Sequence, residues 1–398
     1  MTKSPDAAPV AFDRHVAGCI YCGRLGPYTD EHVVSAGLGG DDPDWMLRGC
    51  VCTICNNHTF SRIEAHVLKE SHVALMRLYS QPSTRDGTPP SPLQAKTTIQ
   101  LGDGSLVAGN LGAGGQADVM AQILRGESDD SKSAFPIIGP DRPAIEALLA
   151  SLQELLQDDV VLIEKHLARS FASTRLTWVN NGYLAGSSVI TAKPPAVGIW
   201  FEPAHMPETL GATPPWSVFR RPQGQIVGRA PDLKELALFL SELRPNMIEI
   251  SRAFAVASTA TTRAQPGVHM RMKVRPLEVD RVLVKIGINL TAHLFGLEVV
   301  RRSEFDGAIA FALGNGSPLR QTQFSSGVFT CFPGGRHVFC LTTSRTPTGG
   351  KALVLSVRIY GVGNIENFIL AELHDSAIQV RQVAVVVDYA ANRIQVVD

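Results

Sequence analysis

Four cysteines form two Cys-x-x-Cys pairs, a spacing that places two sulfur atoms on one tight turn. The pairs read C-I-Y-C and C-T-I-C, and their members are Cys19, Cys22, Cys52 and Cys55. Two such turns can hold one tetrahedral zinc ion, and four thiolates leave no open coordination position for water. The pattern therefore predicts a structural zinc site. Cys50 stands two residues before the second pair, and we interpret it as a small core residue.

Glu31 and His32 lie between the two cysteine pairs, and this combination of residues suits phosphodiester hydrolysis. The attacking water must lose a proton, and an imidazole can accept it near neutral pH. Neighbouring side chains on a strand point to opposite faces, so the two can converge only at a strand end or a bulge. We predict His32 as the general base and Glu31 as a ligand of a divalent cation.

Asn57 directly follows the second cysteine pair and is expected in the first turn of a helix. Its amide oxygen is a hard, neutral ligand for magnesium or a similar ion, and Asn56 and His58 are the neighbouring candidates. An asparagine in this position is also a common helix cap, and a Glu-His pair is usually a solvated surface pair. Glu31, His32 and Asn57 lie between and beside two turns that zinc would fix. We therefore interpret them as a site for metal-assisted hydrolysis and not as a surface pair and a helix cap.

The cysteine pairs and the segment between them resemble the HNH endonuclease family. The similarity lies in C-I-Y-C-G, T-D-E-H-V-V-S-A-G-L-G-G and C-x-x-C-N-N, which match the subgroup reading E-H-V-I-P-x-x-L-G-G before C-x-x-C-N. It covers about residues 17–70 and implies a ββα-metal fold, DNA as the substrate, and magnesium, manganese or a similar catalytic cation beside the zinc. By position, His32 matches the general base, Glu31 the acidic ligand and Asn57 the helix ligand.

The sequence departs from this family pattern at two positions. Ser35 stands where the family often has proline, and the asparagine expected near Arg48, which commonly orients the histidine, is absent. Gly39 and Gly40 match the loop after the strand. Another group must then orient His32. The alternative function is a degenerate zinc module that binds nucleic acid or protein without cleavage.

Composition sets limits on the whole chain of 398 residues. Hydrophobic residues make up 44% and charged residues 19%, which is typical of a folded protein and too apolar for disorder. The formal net charge of zero excludes a uniformly basic nucleic-acid coat, although not a local basic face. The sequence has no membrane-length apolar run and no signal-peptide core, and its seven cysteines suit a reducing compartment. We therefore expect a cytoplasmic protein without a membrane segment.

The expected fold class is α+β, with a small zinc-stapled N-terminal module and a larger mixed region. The predicted segments are the module at 15–80, with a helix from near Asn57 through Leu75, a Pro- and Ser-rich linker at 81–95, and the mixed region at 96–398, with possible subdomains 96–230 and 231–398. Within the mixed region the pattern predicts a hairpin at 97–110, helices at 143–156, 232–243 and 277–295, strands at 176–200, and mainly strands from 327 onward. We expect this region to recognise a substrate, a regulatory ligand or a protein partner.

Three polar residues stand out near these elements. Lys285 and Asn289 are one helical turn apart among apolar neighbours, which favours a buried, hydrogen-bonded pair over the lining of a pocket. Glu64 lies on the predicted helix of the module, where we expect it to brace the module through a hydrogen bond.

Overall fold

The computed structural model is a mixed α+β protein, as the sequence predicts. It describes residues 13–84, 86–90, 96–102, 104–126, 134–167, 170–204, 216–257, 267–272, 274–319, 329–345, 349–361, 365–373 and 382–397. Within this part of the chain, no helix combines the length and the apolar character that crossing a membrane requires.

The helices and strands are numbered in chain order. The strands are β1 Tyr28–His32, β2 Met46–Cys52, β3 Lys96–Gln100, β4 Leu106–Leu111, β5 Ala117–Val119, β6 Gln122–Leu124, β7 Ile137–Ile138, β8 Val160–Leu167, β9 Ser170–Val179, β10 Gly182–Thr191, β11 Ile199–Pro203, β12 Ser217–Arg220, β13 Ile226–Ala230, β14 Gly267–Arg271, β15 His337–Arg345, β16 Lys351–Arg358, β17 Ile365–Leu373, β18 Val383–Asp388 and β19 Arg393–Val397. The helices are α1 Ser61–Glu70, α2 His72–Ser80, α3 Arg142–Leu155, α4 Leu233–Val256, α5 Pro276–Phe295, α6 Leu297–Val300 and α7 Asp306–Leu313.

The chain forms two compact units whose membership differs from the predicted segments. The first unit comprises Met1–Ala95, Gly112–Gly115 and Met272–Asp398, and the second comprises Lys96–Leu111 and Gln116–Arg271. The cysteine module is therefore grouped with the C-terminal part of the chain and is not a separate N-terminal body.

The cysteine module consists of two antiparallel strands followed by a helix. β1 pairs with β2, and the register shifts between Thr29 and Glu31, so the acid-histidine pair follows a bulge at a strand end. A π-helical turn, Ile54–Phe60, leads directly from β2 into α1. This order brings the second cysteine pair to the junction between β2 and the helix.

The helix of the module is interrupted, although the sequence predicts that it runs through Leu75. Ser71 has an extended ψ of 172°, and its hydroxyl accepts hydrogen bonds from the main-chain N–H groups of Val73 and Ala74. The same hydroxyl donates to the carbonyl of Val67 at 2.5 Å. Ser71 thus ends α1 and caps α2, because a serine side chain can replace the missing main-chain partners of a helix start.

The rest of the first unit is built from α5, α6, α7 and an antiparallel sheet in the order β17-β16-β15-β18-β19. α5 ends as predicted at Gly296, which has a φ of 98°. One continuous apolar core contains Val33 and Phe60 of the module together with Ile286 of α5 and Leu355 of the sheet. The module therefore shares its core with the C-terminal elements.

The second unit has its own core between helices and a mixed sheet in the order β10-β9-β8-β11-β13-β12-β6-β7. β11 is parallel to β8 and β13, and the remaining pairs in this sheet are antiparallel. A four-stranded sheet in the order β14-β3-β4-β5 contains the predicted hairpin. Asp232 caps α4, since its carboxylate accepts from the N–H of Glu235 at 2.8 Å.

The prediction of mainly strands from 327 onward needs one correction, because residues 329–332 form turns and bends and no strand. Strands β15 to β19 lie within the predicted region, and β19 pairs with β18 at the edge of the sheet.

Candidate functional site

The four cysteines predicted as zinc ligands come together in a four-cysteine cluster. Its members are Cys19, Cys22, Cys52 and Cys55, and all four sulfur atoms lie within 4.8 Å of one another. A tetrahedral zinc ion with bonds of about 2.3 Å would place its sulfur ligands about 3.8 Å apart, so the cluster can hold a metal ion such as zinc. In the part of the chain that the structure describes, it is the one group of at least three His, Cys, Asp or Glu side chains close enough to do so.

Main-chain hydrogen bonds fix the cluster to the strands. The N–H of Cys52 donates to the sulfur of Cys19 at 3.3 Å, and the N–H of Ile20 donates to the carbonyl of Cys50 at 3.0 Å. The first turn closes through the N–H of Gly23, which donates to the carbonyl of Cys19 at 2.9 Å. The first cysteine pair is thus held against β2, from which the second pair extends.

Hydrogen bonds among the sulfur atoms shift the pKa values of the cysteine thiols in opposite directions. Those from Cys22 and Cys55 lower the pKa of the Cys19 thiol to about 2, and the bond with Cys19 raises the pKa of Cys22 to about 12. Sulfur atoms this close can all be thiolates only around a cation. Cys50, by contrast, is buried outside the cluster, and burial raises its pKa to about 11, as suits a core thiol.

The acid-histidine pair points into two different environments. Glu31 is only 3% exposed and forms an ion pair with the ammonium of Lys285 on α5. The side chain of His32 is 28% exposed and lies beside the carboxylate of Asp41. The side chains of Glu31 and His32 therefore contact different partners and do not converge on one point.

Lys285 joins two carboxylates inside the first unit. Its ammonium lies 2.7 Å from Oε1 of Glu64, and it also contacts Oε1 of Glu31. Ser35 donates its hydroxyl to Oε1 of Glu64 at 2.6 Å. We call Glu31, Ser35, Glu64 and Lys285 the Lys285 network. It confirms the expected bracing role of Glu64 and shows that Ser35 is hydrogen-bonded to it.

The charges of the Lys285 network affect one another. Burial raises the pKa of Glu31, and the nearby ammonium only partly offsets this effect. Burial also raises the pKa of Glu64, but Lys285 outweighs it and the pKa is lowered. Burial lowers the pKa of Lys285, while Glu64 and Glu31 together raise it above its ordinary value. The lysine is therefore a buried cation, stabilised by its two carboxylate partners.

Asn289 connects α5 to the main chain of His32. Its Nδ2 donates to the carbonyl of His32 at 3.1 Å and lies 3.4 Å from Oε1 of Glu31. Its Oδ1 accepts from the hydroxyl of Tyr21 at 2.6 Å. Asn289 is fully buried, so this amide links the first cysteine turn, α5 and the end of β1. The sequence indicated a buried polar pair on α5, and the structure shows the contacts of both members.

The ring of His32 has one nitrogen near a carboxylate and one without a partner. Nε2 lies 3.6 Å from Oδ1 of Asp41. Nδ1 is buried and has no hydrogen-bond partner among the described residues.

The loop that carries Asp41 is anchored on both sides. Gly39 has a φ of 80°, and a Cβ added there would lie 2.4 Å from the Cα of Tyr389, so only glycine fits. Oδ2 of Asp42 accepts from the N–H of Ile394 on β19 at 3.0 Å. Sequence reasoning did not identify Asp41, although the acidic run after the Gly39-Gly40 pair could have indicated it.

The predicted helix ligands lie at the start of the helical segment. Asn56 donates from Nδ2 to Oγ1 of Thr29 at 3.1 Å and to the carbonyl of Asp30 at 3.0 Å. Asn57 and His58 are exposed, and the main-chain carbonyl of Asn57 accepts from the hydroxyl of Ser61. The side chain of Asn56 is therefore hydrogen-bonded to β1.

These contacts do not fit a divalent cation bound at Glu31. Oε1 of Glu31 already contacts the ammonium of Lys285, and the residue has almost no exposed surface. The role of Glu31 as a metal ligand stays a prediction from the sequence, and the ion pair with Lys285 argues against it.

No family model matches the chain, and neither a curated protein nor a solved structure matches it.

Proposed function

We propose that this chain is an endonuclease that hydrolyses phosphodiester bonds of DNA, with His32 as its general base. The observation that carries the proposal is the partly exposed ring of His32 beside Asp41, at the end of a strand pair followed by a helix. The four-cysteine cluster supports it, because a structural zinc ion would hold the strand pair and the helix together. The resemblance of residues 17–70 to HNH endonucleases supports the same reaction.

In the proposed reaction, the imidazole of His32 removes a proton from the water that attacks phosphorus. The bond from phosphorus to the sugar oxygen breaks, and that oxygen takes up a proton from solvent. Asp41 lies beside Nε2, where its negative charge favours the imidazolium that forms. Asp41 thereby takes the role of the asparagine that the family pattern has near Arg48. Arg62 and Lys69 are exposed on α1 and supply positive charge for contacts with the DNA backbone.

The proposal includes dependence on magnesium, manganese or a similar cation, which would stabilise the negative charge that develops on the phosphate. Asn57 would hold it at the exposed start of the helical segment, with His58 and Asn56 as further candidates. We also propose a cytoplasmic location, in keeping with described cysteines that are not joined in disulfides.

A plasmid-nicking assay on the full chain tests this function. We expect nicking with magnesium or manganese, and its loss in His32→Ala at an unchanged zinc content. Replacement of the exposed His166 by alanine is the matched control and should leave nicking intact. The proposal fails if the wild-type protein leaves DNA uncut with every divalent metal tried, or if His32→Ala cuts as well as wild type.

A second function is favoured by the Lys285 network. Because Glu31 is ion-paired and buried, the module can be a zinc-stabilised platform that binds nucleic acid or protein without cleavage. DNA binding by an uncleaving wild-type protein, with the same affinity in His32→Ala, would favour this function over hydrolysis.

A further inference from the structure

The ammonium of Lys285 lies where a cation bound by Glu31 would lie. It contacts Oε1 of Glu31 and is 2.7 Å from Oε1 of Glu64. Lys285 is 1% exposed, so its charge is neutralised inside the protein and cannot be shared with solvent. Hard divalent cations also bind carboxylate oxygens, and two such oxygens contact this one positive charge.

The surrounding contacts hold the ammonium in this position. The ring of Phe60, in the first turns after the second cysteine pair, lies 5.8 Å from the lysine nitrogen. Ser35 and Asn289 each donate a hydrogen bond to one of the two carboxylates, to Glu64 and Glu31 respectively. Both carboxylates that contact the ammonium are therefore oriented by a further partner, as is usual around a bound ion.

We propose that Lys285 is the resident cation of the module and occupies a latent divalent-cation site formed by Glu31 and Glu64. In the wild-type protein the ammonium excludes a metal from Glu31. The two carboxylates that it contacts lie on β1 and α1, so helix α5 supplies the charge that holds these elements together. This proposal goes beyond the proposed function and does not depend on whether the module cuts DNA.

Removal of the ammonium should open the site. Lys285→Met keeps most of the volume of the side chain but leaves two buried carboxylates without a positive partner. Two adjacent, uncompensated carboxylates attract a divalent cation, and manganese is a suitable probe because it binds hard oxygen ligands. The variant should bind manganese at least tenfold more tightly than wild type.

Manganese binding to the zinc-loaded full chain, measured by electron paramagnetic resonance, tests the proposal. The proteins are wild type, Glu31→Gln, Lys285→Met, and Lys285→Met combined with Glu31→Gln. We expect no difference between wild type and Glu31→Gln, one additional manganese site in Lys285→Met, and loss of that site in the double variant. Zinc content and thermal unfolding of each variant report whether it is folded.

Two results would overturn the proposal. One is a manganese site in the wild-type protein that Glu31→Gln abolishes, because the ammonium of Lys285 would then not exclude a metal from Glu31. The other is a folded Lys285→Met protein without a new site. If Lys285→Met does not fold, Lys285→Gln, which retains a hydrogen-bonding group, replaces it under the same criteria. Plasmid nicking by the wild type is a separate measurement, so failure of the proposed function and failure of this proposal are distinguishable.

Discussion

His32 is positioned by contacts of two kinds. Asn289 fixes its main chain through the carbonyl, and Asp41 lies beside one edge of its ring. These contacts leave Nδ1 as the nitrogen without a described partner. A general base needs an oriented ring that water can reach, and the side chain of His32 is oriented by these contacts and partly exposed.

Asp41→Asn tests the electrostatic part of this arrangement. The carboxylate is partly exposed and 3.6 Å from the ring, so it should contribute about 1 kcal/mol to the transition state, roughly a fivefold loss in the nicking rate. The measurement is the rate constant for plasmid nicking at saturating DNA. Asp44→Asn, an exposed aspartate in the same loop, is the control. Equal rates for wild type and Asp41→Asn would remove Asp41 from the mechanism.

His337 is a second informative histidine, and it belongs to the core. It is fully buried at the start of β15, packs against Tyr360 and Tyr389, and accepts the N–H of Tyr360 on Nδ1 at 3.0 Å. Burial lowers its pKa from 6.5 to about 3. The folded state therefore keeps the ring neutral, whereas the unfolded chain takes up a proton at higher pH.

This difference predicts an acid-dependent loss of stability. Because the folded pKa is lowered, the stabilising contribution is present above pH 6.5 and is lost as the pH falls towards 3. Between pH 7.5 and 5 the loss should be about 2 kcal/mol, measured as the free energy of urea unfolding. His337→Asn, whose amide oxygen can accept the same hydrogen bond, should be less stable at pH 7.5 but lose less on acidification. His58→Asn, at an exposed site, should retain the wild-type pH dependence; an unchanged pH dependence in His337→Asn would contradict the assignment.

The sequence predicts a site whose residues follow a short local spacing, but it does not predict contacts between residues that are far apart in the chain. The four cysteines converge because each pair is fixed by its own turn, which short spacing reveals. Glu64 and Lys285 are 221 positions apart, and a single sequence holds no signal for such a pairing. Two polar residues on an apolar helix indicated burial, but not which residues would surround them.

At the scale of elements, the four-cysteine cluster connects parts of the module that hydrogen bonds alone connect weakly. β1 and β2 form a two-stranded sheet, which has little stability by itself. The cluster links the turn before β1 to the end of β2 and to the helical turn after it. A metal ion in the cluster would therefore determine how β1, and with it His32, is held.

Loss of one cysteine ligand should release these elements while the rest of the chain stays folded. We expect about one zinc per chain by atomic emission, less than a tenth of that in Cys52→Ser, and faster amide exchange in β1 and β2 with unchanged exchange in α4. Cys50→Ala is the matched control, since Cys50 is buried nearby but outside the cluster. Loss of zinc from Cys50→Ala to the same extent would mean that the ligand set is wrong.

Elements were predictable where a local signal determines them. The Gly-rich turn of the β3–β4 hairpin, the Asp232 cap of α4 and the Gly296 end of α5 all follow from conformations that few residues favour. The break at Ser71 was missed, because serine is compatible with a helix interior and its capping role depends on the direction the chain takes afterwards.

At the scale of the whole molecule, the two units differ in how their cores are assembled. The core of the second unit draws on residues between Ala121 and Met247, which are close together in the chain. The core of the first unit combines residues from Cys19 to Val73 with residues from Val279 to Ile394. The composition of the predicted linker at 81–95 indicates a loop, but composition does not show which segments share a core.

This difference predicts how fragments of the chain behave. Residues 1–95 should remain unfolded even with zinc, since their apolar side chains lose α5 and the β15–β18 sheet as partners and Glu31 loses Lys285. Residues 96–271 should fold alone around their own core. The measurement is the dispersion of amide signals in two-dimensional NMR spectra of each fragment and of the full chain. A well-dispersed, zinc-dependent spectrum from residues 1–95 would show that the module is autonomous and that α5 is not required to assemble it.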